Sequence, residues 1–150
     1  EQVSLIISQA RELGYTGVLL GTDGWDGPKL PEVNTAEALQ NVFFTNHYSP
    51  ESTDPKVIDF VKNYTEKFGS APTSLAALGY DAAYVIADAV AKAGSADPVA
   101  IKDAIAATSG LVGVTGSMTL DAQHNPIKSA VIIGFNEEGK QTYVETIDPK

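Results

Sequence analysis

A carboxylate placed where a buried strand ends is the residue of this chain best suited to chemistry. Asp23 lies in Leu20-Gly21-Thr22-Asp23-Gly24-Trp25, directly after the short apolar run Gly17-Val18-Leu19-Leu20. That run reads as a buried strand. In open α/β sheets ligands bind outside the carboxyl ends of strands. A carboxylate there can accept charge-assisted hydrogen bonds from a ligand ammonium, and such bonds are strong where water is excluded. Gly21 and Gly24 would let the backbone turn sharply and come close to a ligand. Trp25 is the only tryptophan and sits in a loop, where its indole could cover a ligand or shield an ion pair. The same residues admit a plainer reading, with Asp23 as an Asx-turn residue and Trp25 as core filler. Asp26 is a rival carboxylate, but Gly27-Pro28 after it is turn chemistry.

Other chemistries find no support. The two histidines, His47 and His124, lack metal-ligand spacing. His124 stands in the turn composition Asp121-Ala122-Gln123-His124-Asn125-Pro126, and His47 follows a strand end, where a cleft could receive it. No serine lies in a Gly-x-Ser-x-Gly elbow, and no glycine-rich phosphate loop joins a strand to a helix. Gly110, Gly113 and Gly116 read as loop flexibility. The carboxylates are plentiful, and on so acidic a surface most are solvated. Asn63-Tyr64-Thr65 matches a glycosylation acceptor but falls inside a helical pattern.

The 150 residues suit one domain of ordinary size, and 43% hydrophobic with 19% charged residues is globular composition. No continuous apolar run approaches the roughly 18 residues of a membrane span. A formal net charge of -9, with ten scattered Lys and Arg, argues against nucleic acid and anionic membranes as partners. The absence of cysteine excludes disulfides, thiol nucleophiles and thiolate metal sites. The chain opens at Glu1 directly in a helical pattern, which reads as a processed or excised piece, so a missing signal peptide carries no information.

The elements that must position Asp23 follow from periodicity. Val3, Ile6, Ile7, Ala10 and Leu13 mark a first helix closed by Gly14. After the loop from Gly21 to Pro31, a short helix is expected over 35–40 and a strand over 41–45. Asp54-Pro55 and Asp97-Pro98 each pair an N-capping carboxylate with a proline at the first helical position. They open helices that carry Val57, Phe60, Val61, Tyr64 and Phe68 in one case, and Ile101, Ala104 and Ile105 in the other. Between them a long helix runs over about 74–93, with Ala82, Val85, Ile86, Ala89 and Val90 as its expected buried face. Residues 109–116 read as a glycine-rich connection, 117–120 as a short strand and 127–135 as one continuous strand. A turn over 137–140 returns as a strand over 141–147. The helical cluster has too few strands for a layer of its own, so the chain reads as parts of two layered bodies.

Here a family comes into view. Leu20-Gly21-Thr22-Asp23-Gly24-Trp25-Asp26-Gly27-Pro28-Lys29-Leu30 resembles the loop of type I periplasmic solute-binding proteins of the branched-chain amino acid class. Ala77-Leu78-Gly79-Tyr80-Asp81-Ala82-Ala83-Tyr84 and the segment from Gly116 to Ile147 are similar to the same family. The resemblance implies an α/β fold in two lobes, with parallel sheets flanked by helices and three crossovers. It assigns 1–46 to the second lobe, 47–128 to the first lobe and 129–150 to strands returning to the second.

By the same resemblance Asp23 binds the α-ammonium of an amino acid, with Gly24 and Trp25 as neighbours. A cleft-facing position near the start of the long helix maps to Ala76, and Tyr80, one turn on, shares its face. Ala76 lacks the bulk some members have there, so Tyr80 is a candidate to fill the space. The family implies no enzyme and no cofactor. It implies an amino acid or similar solute as ligand, the permease of an ABC importer as partner, and a periplasmic or extracellular place, with a lipid anchor on the missing N-terminus as one form. A ligand-sensing domain of a signalling receptor with the same fold is the alternative function, and a flavodoxin-like enzyme is disfavoured for want of a phosphate loop. Members are about twice this length. The missing N-terminal half would supply the groups that hold the ligand carboxylate, and the chain is expected beside that half or in an intertwined oligomer.

Overall fold

The computed structural model describes residues 2–149. They divide into two compact units, one formed by 2–52 with 130–147 and the other by 53–129 with 148–149.

In the first unit, α1 (Gln2–Glu12) leads to β1 (Leu19–Gly21), a 3-10 turn (Asp23–Trp25), α2 (Lys29–Val33) and β2 (Val42–Asn46). The sheet is completed by β6 (Ala130–Phe135) and β7 (Gln141–Ile147) in the order β1-β2-β6-β7. β1 pairs with β2 in parallel, while β2 with β6 and β6 with β7 are antiparallel. Among the described residues, parallel pairing is confined to β1 and β2. A bulge between Ile132 and Ile133 places Glu145 and Tyr143 opposite them, so Val144 is the extra residue and strict alternation along β7 fails.

Two apolar clusters hold this unit together. Ile7, Leu30, Leu39 and Val42 form one; Phe44, Val131 and Ile133 form the other. Trp25 and Phe135 pack against both. Of the stripe expected on α1, Ile7 is buried, but Ile6 is 60% and Leu13 88% exposed.

The short helix expected over 35–40 is a run of hydrogen-bonded turns, and the helix lies earlier, at α2. Pro31 is tolerated there because it falls in the first turn, whose N–H groups have no intrahelical partner. Over 35–40 the Leu39 N–H reaches the Thr35 carbonyl, but the Gln40 N–H turns to Glu37 three residues back, and the segment is tied to α1 by Arg11. Its guanidinium takes the carbonyls of Ala38 at 3.1 Å and Gln40 at 2.7 Å, and also those of Tyr15 and Gly17.

In the second unit, α3 (Pro55–Phe68), α4 (Ser74–Ala93) and α5 (Pro98–Ala106) precede a small antiparallel sheet, β3 (Leu111–Gly113), β4 (Gly116–Leu120) and β5 (Pro126–Ile127). Both Asp-Pro devices form: Asp54 accepts from the Lys56 N–H at 2.8 Å, and Asp97 from the Ala100 N–H at 3.0 Å. Gly69 and Gly94 end α3 and α4 in the left-handed conformation that glycine adopts without strain.

Three expectations are corrected here. The glycine-rich connection contains β3, which pairs with β4 across a tight hairpin, so the helical cluster does have a sheet. The strand over 127–135 is broken at Lys128-Ser129 into β5 and β6, which pair in different sheets. The buried face of α4 is Ser74, Ala77, Asp81 and Ala89, whereas Ala82, Ile86 and Val90 are exposed. α4 is rich in alanine and apolar on nearly every side, so its hydrophobic pattern chose no face. The hydrogen bonds of Asp81 did. α4 is also long and apolar enough to cross a membrane by length and composition, which a search for continuous apolar runs overlooks.

Candidate functional site

The parallel pairing of β1 and β2 builds the site. Leu19, Leu20 and Gly21 lie opposite Val42, Phe43 and Phe44, so both strands point the same way and end at the same edge. Asp23 stands two residues beyond β1, and His47 one residue beyond β2. The two side chains meet there, with His47 Nε2 3.2 Å from Asp23 Oδ2. A carboxylate only accepts, so Nε2 carries the proton and donates. Both side chains stay open to solvent, His47 at 32% and Asp23 at 46%. The backbone N–H of His47 donates to Asn46 Oδ1 at 2.8 Å, which fixes the chain as it leaves β2.

The loop after β1 is held from below. The N–H groups of Trp25 and Asp26 donate to the carbonyls of Thr22 and Asp23, closing the 3-10 turn. The indole of Trp25 lies over Gly21, where an added Cβ would overlap its ring. Gly21 is therefore required by Trp25. Gly24 has open space where a Cβ would stand. Neither glycine has a positive φ; in this loop that falls to Gly27, at 142°. Half-buried against both clusters, Trp25 is a core residue as well as a neighbour of Asp23.

Ala76 and Tyr80 lie on α4 in the second unit. Ala76 is half-buried. Tyr80 is 41% exposed, and its ring lies tilted between those of Phe60 and Tyr84, with centroids 4.8 Å and 4.9 Å away. Its hydroxyl lies 3.1 Å from that of Tyr84. That hydrogen bond first, then burial, pushes the Tyr80 phenol above its ordinary range.

Two arrangements escaped the sequence reading. One is His47, 24 residues from Asp23 in sequence. The signal for it was the strand end it follows, but choosing its partner needs the parallel register. The other is a buried carboxylate, Asp81, which is only 8% exposed. It accepts from the Val114 and Thr115 N–H groups, each at 2.8 Å, and from the Thr115 hydroxyl at 2.7 Å. Lys128 donates to that hydroxyl oxygen at 2.6 Å. Burial lowers the Lys128 ammonium below its ordinary range, and the charge of Asp81 offsets part of that. This network ties α4 to the β3–β4 hairpin. His124 sits in its turn with φ 63°, its N–H bonded to the Asp121 carbonyl. Among the described residues, no group of three or more His, Asp or Glu could hold a metal ion.

A mixed α/β chain with an acidic loop at the carboxyl ends of parallel strands belongs to a definite class. The model of the periplasmic binding protein family matches residues 1–140, and the chain belongs to that family. Its fold is that of the type I members. Two solved structures are similar to it in sequence as well. A leucine-binding protein of Thermotoga maritima, LivK, shares 39% identity at a TM-score of 0.87, over 99% of this chain and 42% of that one. LivJ of Streptococcus pneumoniae, a branched-chain amino acid transporter substrate-binding protein solved with isoleucine, shares 32% at 0.85, again over 99% and 42%. A structure from Rhodospirillum rubrum, described as a putative branched-chain amino acid ABC transporter, shares 27% at 0.79, over 95% and 41%. The chain spans about two fifths of the length of these structures. Curated proteins give no match.

Proposed function

We propose that this chain is part of an extracytoplasmic receptor that captures an amino acid for an ABC importer, without catalysis, and that Asp23 accepts the ligand's α-ammonium. The observation that carries the proposal is the half-exposed carboxylate of Asp23 at the shared carboxyl edge of β1 and β2. A carboxylate can accept several hydrogen bonds at once, so the one from His47 leaves room for an ammonium. The fold alone does not select the ligand. A benzoate-bound solute-binding protein from R. palustris has the same fold at 22% identity. A carboxylate at the anchor position favours a cationic group over an anion. The 39% and 32% identical relatives, described as binding leucine and isoleucine, support an aliphatic amino acid.

The unit of 2–52 and 130–147 supports a second lobe and that of 53–129 a first, although 47–52 fall with the former and 148–149 with the latter. The exposed apolar residues Leu5, Leu13 and Leu20 in one unit, and Leu75 and Ile86 in the other, support burial against the rest of a longer protein. For Ala76 and Tyr80 a ligand contact is the less supported part, because ring contact with Phe60 and Tyr84 is what a helix-packing tyrosine makes.

Calorimetry with leucine on the full-length protein tests the anchor. Asp23→Ala leaves the ammonium buried without its partner, at roughly 3–5 kcal/mol. Affinity should therefore fall by about two orders of magnitude or more. Unchanged affinity would remove Asp23 from the site.

A further inference from the structure

The structure assigns a second functional residue to this site: we propose that His47 positions the Asp23 carboxylate and, when protonated, competes with the ligand's cationic group for it. The inference rests on the reading of Asp23 as ammonium anchor.

The imidazole and the carboxylate are 3.2 Å apart and both reach solvent, so a proton from water can reach the ring. A neutral ring donates one hydrogen bond to Oδ2, fixes the carboxylate rotamer and leaves its charge for a ligand. A protonated ring makes an ion pair with the same carboxylate. It then cancels the charge that attracts an ammonium and sets a like charge beside the place the ammonium must take.

Among the described residues, His47 is paired with Asp23, and the other charges near it in the chain are these. In the loop after Asp23, Lys29 is paired with Glu32 at 2.7 Å, and Asp26 follows the 3-10 turn. Beyond His47, Glu51 accepts from the Tyr143 N–H at 2.8 Å on β7. β1 and β6, the strands that flank β2, carry no titratable side chain over Leu19–Gly21 and Ala130–Phe135. β7 contributes Glu145, opposite Ile132 on β6.

Because linkage is reciprocal, a proton that weakens ligand binding must be released when ligand binds. Leucine keeps both of its charges between about pH 5.5 and about pH 7.5, so the ligand itself contributes no dependence.

The test is leucine calorimetry on the full-length protein at about pH 7.5 and about pH 5.5, repeated near pH 6 in two buffers of different ionisation enthalpy. Wild type should lose about tenfold in affinity on acidification and release a proton on binding. His47→Gln keeps a donor for Oδ2 but cannot titrate. It should bind at about pH 7.5 within a few-fold of wild type, with affinity nearly flat in pH and no proton released. The same pH slope and proton release in His47→Gln as in wild type would overturn this inference and leave the Asp23 anchor standing. If His47→Gln binds at neither pH, wild type decides: affinity flat in pH with no proton released would overturn the inference. No leucine binding by wild type at either pH would overturn the anchor and this inference together.

Discussion

The carboxylate of Asp81 occupies the space in which a Cβ on Gly113 would have to stand. The hairpin of β3 and β4 can therefore approach α4 only with glycine at that position, and the approach delivers the Val114 and Thr115 N–H groups to the carboxylate. In Asp81→Ala the Val114 and Thr115 N–H groups and the Thr115 hydroxyl lose their acceptor, and the full-length protein should lose at least about 2–6 kcal/mol of stability in urea unfolding. Asp81→Asn, which keeps one acceptor oxygen, should lose less. Gly113→Ala alone should cost about 1–3 kcal/mol through overpacking. Combined with Asp81→Ala it should cost less than the sum, because the clash and the bonds share one partner. Strict additivity of the two would show that the carboxylate is not what Gly113 makes room for.

Gly21 stands in the same relation to Trp25. Gly21→Ala must push the indole off the two apolar clusters beneath it, at about 1–3 kcal/mol. Thermal unfolding of the full-length protein should show a lower midpoint, and leucine affinity should weaken as the Asp23 turn shifts. A midpoint equal to that of wild type would mean that the indole does not press on Gly21.

Lys128 gives a pH signature. Burial holds its ammonium below the ordinary lysine value of 10.5 in the folded chain, while the unfolded chain keeps the ordinary value. Between the two, the unfolded state binds the proton and the folded state does not, so stability rises with pH across that window. The contribution is complete above the ordinary value and is lost as pH falls through the lowered one. Urea unfolding in steps from about pH 8 to about pH 10.5 should show wild type gaining on Lys128→Met as pH rises. A gap constant in pH would show that the ammonium is as well solvated folded as unfolded.

The longer helices were the legible part of this fold, because their signals are local, whereas the short α2 was missed. Asp54-Pro55 and Asp97-Pro98 start α3 and α5, and Gly69 and Gly94 stop α3 and α4. What stayed hidden depends on partners distant in sequence. β3 is three residues, Leu111–Gly113, amid glycines that read as flexibility, and it becomes a strand by pairing with β4. The break falls on the polar pair Lys128-Ser129, which strand alternation can absorb, so it is revealed only by the pairing of β5 with β4 and of β6 with β2 and β7. At the site, the type and position of Asp23 were legible, because a carboxylate after a buried strand is a local pattern. His47 was not, because its meeting with Asp23 exists only through the parallel register of β1 and β2.

Trp25, two residues from Asp23, is packed into both apolar clusters of its unit. A loop anchored in this way gives up its conformational entropy when the protein folds. Under the anchoring role proposed for Asp23, a solute would meet a carboxylate on a turn already in place, and its binding energy would not be diminished by ordering that turn. The tryptophan would then act on affinity from the protein side, by what the unliganded chain no longer has to lose.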